Sequence, residues 1–185
     1  MGRNLKKILF ILTIVFLAYG CSPKKDEPRE ESVQENVGKF TLRQFAEKTS
    51  FVLSGESAEI SQSGKSPSVK SPSLSLKTSS EMIEITTGKT GKGQFDLLPE
   101  TKKVSRIVFT GSVKIVYREI STGKTSMQGS CSKLTYIEAD KMLVMEGSPV
   151  LERGSSRFSG DVIRYNFSDN TLNIEGSVNV QIPAE

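Results

Sequence analysis

Few residues in this chain of 185 could do chemistry, and they are scattered. Gly-Lys-Thr occurs at Gly88–Thr90 and at Gly123–Thr125, the tripeptide that ends a phosphate-binding loop. Such a loop needs another glycine five residues earlier, where Ile83 and Arg118 stand instead, and both copies fall in segments with turn composition. Asp161 and Asp169 could pair across a hairpin as acid and base, but carboxylates isolated in turns are ordinarily solvated. Cys131 would need a base to become a nucleophile, and the chain has no histidine to serve as base or metal ligand. Its place in "GSCSKLTY" suits a small buried residue. The inventory predicts a protein that is not an enzyme and uses no metal or cofactor.

The elements that hold these residues are strands. From Lys39 onward no long stretch has helical periodicity, and many short ones alternate. Ile107, Phe109, Gly111, Val113, Ile115 and Tyr117 share a face, as do Ile163, Tyr165 and Phe167. "NTLNIEGSVNVQI" places Leu172, Ile174, Gly176, Val178, Val180 and Ile182 on one side of a predicted strand, with Asn173, Glu175, Ser177, Asn179 and Gln181 on the other. Leu143, Met145, Gly147 and Leu151 make another face, and weaker alternation pairs Phe51 with Leu53, Ala58 with Ile60, Leu74 with Leu76, and Ile83 with Ile85. "GKSPSVKSPS" carries two prolines and reads as a loop or an irregular edge.

The strands repeat. Leu134–Val150 superposes on Ile163–Asn179, so that Tyr136 meets Tyr165, Leu143 meets Leu172, and Gly147–Ser148 meets Gly176–Ser177. A looser copy spans Gly93–Val113. Each unit is strand, polar turn, strand, the pattern of stacked hairpins around one continuous core. A glycine recurring inside strands weakens pairing, so it marks a bend, a bulge, or a place where an inner surface must stay clear.

The N-terminus has another character. Arg3, Lys6 and Lys7 precede an apolar run from Ile8 to Ala18, and Gly20 stands before Cys21. This is the layout of a secretory signal, shorter than the roughly 20 apolar residues of a comfortable transmembrane helix. An uncleaved anchor is the second reading. "LAYGC" resembles a bacterial lipobox, which would make Cys21 the lipidated first residue of the mature chain. "SPKKDEPREESVQENVG" is charged and aperiodic, as a tether is. The expected organisation is a signal peptide over 1–20, the lipidated Cys21 with a flexible linker over 21–38, and a β-domain over 39–185. Three of the 25 basic residues precede Cys21, so the formal net charge of +4 almost vanishes from the mature chain. A nucleic-acid partner has no electrostatic support.

"FTGSVKIVY" and the stretch from "MQGSCSKLTYIEADKMLVMEGSPV" through "SGDVIRYNFSDNTLNIEGSVNV" strongly resemble the OstA-like repeats of the lipopolysaccharide-transport proteins LptA and LptC. The likeness is good over Val104–Ile182 and thinner over Phe40–Glu84, where "FTLRQFAEKTSFVLSGESAEI" looks like the opening strands of the LptC branch. A membrane-anchored N-terminus before one such domain also looks like LptC, although the usual LptC anchor is a transmembrane helix and not a lipid. The resemblance implies an all-β, open twisted jelly-roll or β-taco that holds the acyl chains of lipopolysaccharide between its sheets. It implies edge-to-edge joining with OstA-like partners and supply by an inner-membrane ABC transporter complex.

On this reading the apolar trough is Val113, Ile115, Tyr117, Ile163, Tyr165, Phe167, Leu172, Ile174, Val178, Val180 and Ile182. The same alternation would equally build a closed sandwich core, since groove and core differ only in whether the sheets close. The strand Leu172–Ile182 is the candidate docking edge, unless it lies mid-sheet. The expected location is the periplasm, lipid-anchored to a membrane, with the inner membrane preferred over the outer. The alternative function is an envelope lipoprotein that uses the β-fold as a scaffold or surface adhesin.

Overall fold

A computed structural model describes residues 34–45, 49–61 and 66–183, and every regular element among them is a β-strand. In chain order these are β1 (Gln34–Phe45), β2 (Ser50–Ser61), β3 (Ser68–Lys70), β4 (Ser73–Lys77), β5 (Glu81–Thr87), β6 (Lys92–Leu97) and β7 (Val104–Glu119). They continue as β8 (Thr125–Ile137), β9 (Met142–Glu146), β10 (Val150–Arg153), β11 (Ser156–Ser159), β12 (Val162–Asn166), β13 (Thr171–Glu175) and β14 (Asn179–Gln181). All pairings are antiparallel and join into one 14-stranded sheet.

The registers divide that sheet into two leaves that meet at a crease. In the first leaf the order is β1, β2, β4, β5, β7, β8, β10, β11, β14. In the second it is β1, β2, β3, β6, β7, β8, β9, β12, β13. The long strands β1, β2, β7 and β8 run through both leaves and bend between them. In β7, Lys92–Leu97 pairs with the stretch up to Thr110, Glu81–Thr87 pairs with the stretch from Val113, and the register with β8 shifts between Thr110 and Val113.

The crease is where the backbone departs from extended geometry. Lys39, Ser71, Gly111, Gly147, Ser148 and Gly176 all have positive φ, and each lies where the chain passes from one leaf to the other. The recurrent Gly-Ser step of the sequence is therefore a corner. At Gly147 and Gly176 the next leaf would not be reached by an extended strand, and glycine takes the left-handed turn without the Cβ penalty.

This corrects the reading of Leu172–Ile182 as one strand. Gly176 has φ +80 and divides it into β13, which pairs with β12 in the second leaf, and β14, which pairs with β11 in the first. Between Pro67 and Pro72, expected to be loop or edge, the three residues of β3 pair with β2 on one side and β6 on the other. The prolines flank the strand and keep their carbonyls in use, Pro67 accepting from the Phe95 N–H and Pro72 from the Thr87 N–H. β1 begins at Gln34, inside the stretch expected as linker, because its partners in β2 extend that far.

Side chains on the inner faces line up in rows. Leu42, Leu53, Leu74, Ile85, Ile115, Gly129, Leu151, Phe158 and Val180 are successive cross-strand partners in the first leaf. Val37, Ala58, Val69, Gly93, Phe109, Leu134, Met145, Ile163 and Ile174 form the matching row of the second. The middle of both rows is buried in one hydrophobic core. Each aliphatic side chain fully buried there contributes roughly 1.5–3 kcal/mol. Gly129 shows how closely the leaves approach: a Cβ on it would lie 3.1 Å from Met145 Cε of the other leaf.

Candidate functional site

The expected trough residues occupy three environments. Val113, Ile115 and Tyr117 on β7, with Ile163 and Tyr165 on β12, are buried in the shared core. Tyr117 and Tyr165 meet edge to face across the leaves, ring centroids 5.3 Å apart. Burial drives the Tyr117 hydroxyl well above the usual phenol range, with Tyr165 and Glu81 adding to the effect, and burial also raises Tyr165. The Tyr165 hydroxyl lies 2.6 Å from Asn170 Oδ1, so it donates to the turn that closes β12 onto β13.

Phe167, Leu172 and Ile174 are partly buried against the core. Phe167 stacks on Tyr136 at 6.2 Å, and Tyr136 in turn meets Phe51 of the first leaf edge to face at 6.4 Å. The third group stands in solvent: Val178 is 52% exposed, Val180 45% and Ile182 74%. Val180 is nonetheless an inward position, the cross-strand partner of Phe158. The interleaf space is thus filled by the chain's own side chains at its centre, and its apolar lining emerges into water along β14.

Both ends of the fold are strand edges among the described residues. β14 pairs only with β11, β13 only with β12, and β1 only with β2. At the β1 end, Val37 and Ile60 are exposed and stand on the face that carries buried Ala58. That end is fastened: Gln44 Oε1 accepts the Val104 backbone N–H at 2.8 Å, and Phe40 stacks on Phe95 at 5.7 Å.

Several lining residues escaped the sequence reading. Phe51 and Tyr136 sat in strands it identified but were not assigned to the lining. Phe158 stands in "SRFS", too short to show alternation, and Gln44 gave no signal at all. The residues with chemical potential lie apart from one another. The two Gly-Lys-Thr copies are turns, closed by the Gly91 N–H on Gly88 O and the Gly123 N–H on Glu119 O. Asp169 accepts the Thr171 N–H at 3.0 Å. Cys131 is buried, and burial pushes its thiol up to about 11. No group of three or more potential metal ligands occurs among the described residues, and no helix among them is long and apolar enough to cross a membrane. Cys21 and the expected signal and lipobox lie outside the described residues.

Comparison with known proteins agrees with this architecture. Residues 45–171 match the family model described as "LptA/(LptD N-terminal domain) LPS transport protein". Among solved structures the chain is similar in fold to LptH of Pseudomonas aeruginosa, described as the LptA-homologous periplasmic component of the conserved lipopolysaccharide transport device. The TM-score is 0.57 at 10% identity, over 72% of this chain and 95% of that one. No curated protein matches the sequence. The family model covers most of the chain, and its span runs through the buried rows of both leaves. This chain belongs to the LptA/LptD N-terminal-domain family of lipopolysaccharide-transport proteins.

Proposed function

We propose that this protein is a periplasmic lipopolysaccharide-binding component of the export bridge, which shields acyl chains between its leaves and passes them to a partner of the same fold. The observation that carries the proposal is the gradient along the first-leaf row, where Leu151 is buried, Phe158 is partly buried, and Val180 is 45% exposed on an edge strand. Each methylene kept from water is worth about 0.8 kcal/mol, so a carrier needs only a continuous apolar lining and no reacting group. A partner strand added to β14 would continue the row and use the free N–H and C=O groups of that edge. The exposed inward residues Val37 and Ile60 at the β1 end offer the complementary margin for another OstA-like fold.

The periplasmic location is supported by the description of LptH as a periplasmic component. Within the same proposal, Cys21 carries the lipid anchor, the anchor sits in the inner membrane, and the chain acts as an LptC-like receiver supplied by an ABC transporter complex. A scaffold without cargo is the second reading, favoured by the self-filled centre in which Tyr117 and Tyr165 occupy the interleaf space.

Photo-crosslinking in cells separates the two. A photoreactive residue at Ile174 or Val180 is expected to capture labelled lipopolysaccharide, and one at the outward Asn179 is not. Adducts from Asn179 alone, or from none of these positions, would leave the scaffold.

A further inference from the structure

The outer side of the crease carries a line of amines. Lys70 on β3 and Lys92 on β6 are direct cross-strand partners, both exposed, and Lys133 follows in the same row beyond Thr110 of β7. Lys39 stands at the corner of β1. Lys89 lies in the turn that Ser71 Oγ holds by donating to the Lys89 carbonyl at 2.9 Å. Lys114 follows the β7 corner. Lys70 pairs with Glu56 at 3.3 Å and Lys133 with Glu146 at 2.8 Å. Lys39, Lys89, Lys92 and Lys114 have no ion-pair partner among the described residues.

Like charges directly opposite in a sheet are destabilising, so the Lys70–Lys92 pair works against the fold that holds it. We propose that this basic ridge rests on an anionic bilayer surface. Along the crease the amines run from β1 to β8, roughly 25 Å at about 4.8 Å per strand, which suits a plane of charge and not a single anion. Lysine is a point charge on a flexible stem, able to reach lipid phosphates without a shaped pocket. The ridge ends where the crease turns acidic, at Asp161 beside Gly176 and at Glu175. The β13 and β14 edges and the interleaf lining stay clear of this contact, so the inference stands independently of lipid carriage.

The test uses the full chain and vesicles of phosphatidylcholine alone or of an equimolar mixture with phosphatidylglycerol. The anchor contributes to both, so the ratio of the two affinities reads the ridge. The chain is expected to favour the anionic vesicles, and the preference should disappear at about 0.5 M salt, where the screening length is under 5 Å. At about five-fold per amine, Lys89→Glu, Lys92→Glu and Lys114→Glu together should cut the ratio on the order of a hundred-fold. Lys77→Glu, Lys103→Glu and Lys124→Glu, exposed at hairpin tips, change net charge equally and should leave most of it. No preference in the unaltered chain, equal loss in both triple variants, or retention in the ridge variant would each overturn the proposal. So would binding to lipopolysaccharide aggregates without binding to phosphatidylglycerol vesicles, which would make the cargo's phosphates the partner.

Discussion

Gln44 and Val104 are sixty residues apart in sequence, yet Oε1 of the first accepts the backbone N–H of the second at 2.8 Å. Gln44 belongs to the first leaf, on the edge strand β1, and Val104 opens β7 in the second, so the bond ties the β1 edge across to an interior strand of the other leaf. Val104 is 1% exposed, and a buried N–H without an acceptor costs about 1–3 kcal/mol. Gln44→Ala is therefore expected to lower stability by about 1–2 kcal/mol, read from the denaturant midpoint, and to speed amide exchange at Val104 selectively. Unchanged protection of that amide would mean that another group satisfies it.

The second expectation concerns the corners. Asp161 sits with its carboxylate where a Cβ on Gly176 would stand, and Ser132 Oγ occupies the matching place beside Gly147. The two pairs are equivalent in the internal repeat, and Ser132 adds a bond from its Oγ to the Gly147 carbonyl at 3.1 Å. Gly147→Ala and Gly176→Ala each combine a left-handed φ with a clash, at φ +75 and +80. Each is expected to cost about 1–3 kcal/mol. Adding Asp161→Ala to Gly176→Ala should recover only part of the steric cost, because the Cβ that alanine keeps would still lie 2.5 Å from the new methyl, and a double-mutant cycle measures that coupling.

These corners also mark how far the sequence could be read. The alternation of Ile107 through Tyr117 reported the buried face of β7, because burial of every second residue is a local pattern, whereas that of Leu172 through Ile182 ran two strands together as one. Leaf membership is non-local. Gly176 keeps the parity of the alternation while turning the chain, so a corner and an inward glycine look alike until the pairing is known. For the same reason the candidate trough mixed core residues such as Ile163 with residues of an open margin such as Ile182. The Gln44 contact is a single polar residue meeting a distant backbone group, and no periodicity encodes it.

That mixture gives a third expectation. Ile163 is fully buried, so Ile163→Ala should cost about 2–5 kcal/mol through lost burial and the cavity left behind. Val180 and Ile182 are exposed, and alanine there should change stability by less than about 0.5 kcal/mol in the isolated chain. If those two residues serve a partner strand, the same substitutions should weaken co-purification of an OstA-like partner while the melting curve stays unchanged. Loss of both together would place them in the fold and not at an interface.

Cys131 supplies the fourth. Burial is the main cause raising its thiol from 9.0 to about 11, with the Glu146 charge a lesser one and backbone hydrogen bonds opposing. The neutral thiol is the form favoured in the folded state, so its contribution is complete below pH 9 and is lost as pH rises toward 11, where only the unfolded chain gains by ionising. Two pK units correspond to about 2–3 kcal/mol, and the raised hydroxyls of Tyr117 and Tyr165 act in the same direction. Stability from urea unfolding should be flat between pH 7 and 8.5, roughly, and should fall steeply above about pH 9.5. Cys131→Ala should remove part of that fall. Alkylation of Cys131 in the native chain at neutral pH should run about a hundred-fold slower than in urea, from thiolate population alone. A native rate equal to the unfolded one would mean that this segment of β8 opens freely, and the raised thiol would then have no buried site to explain it.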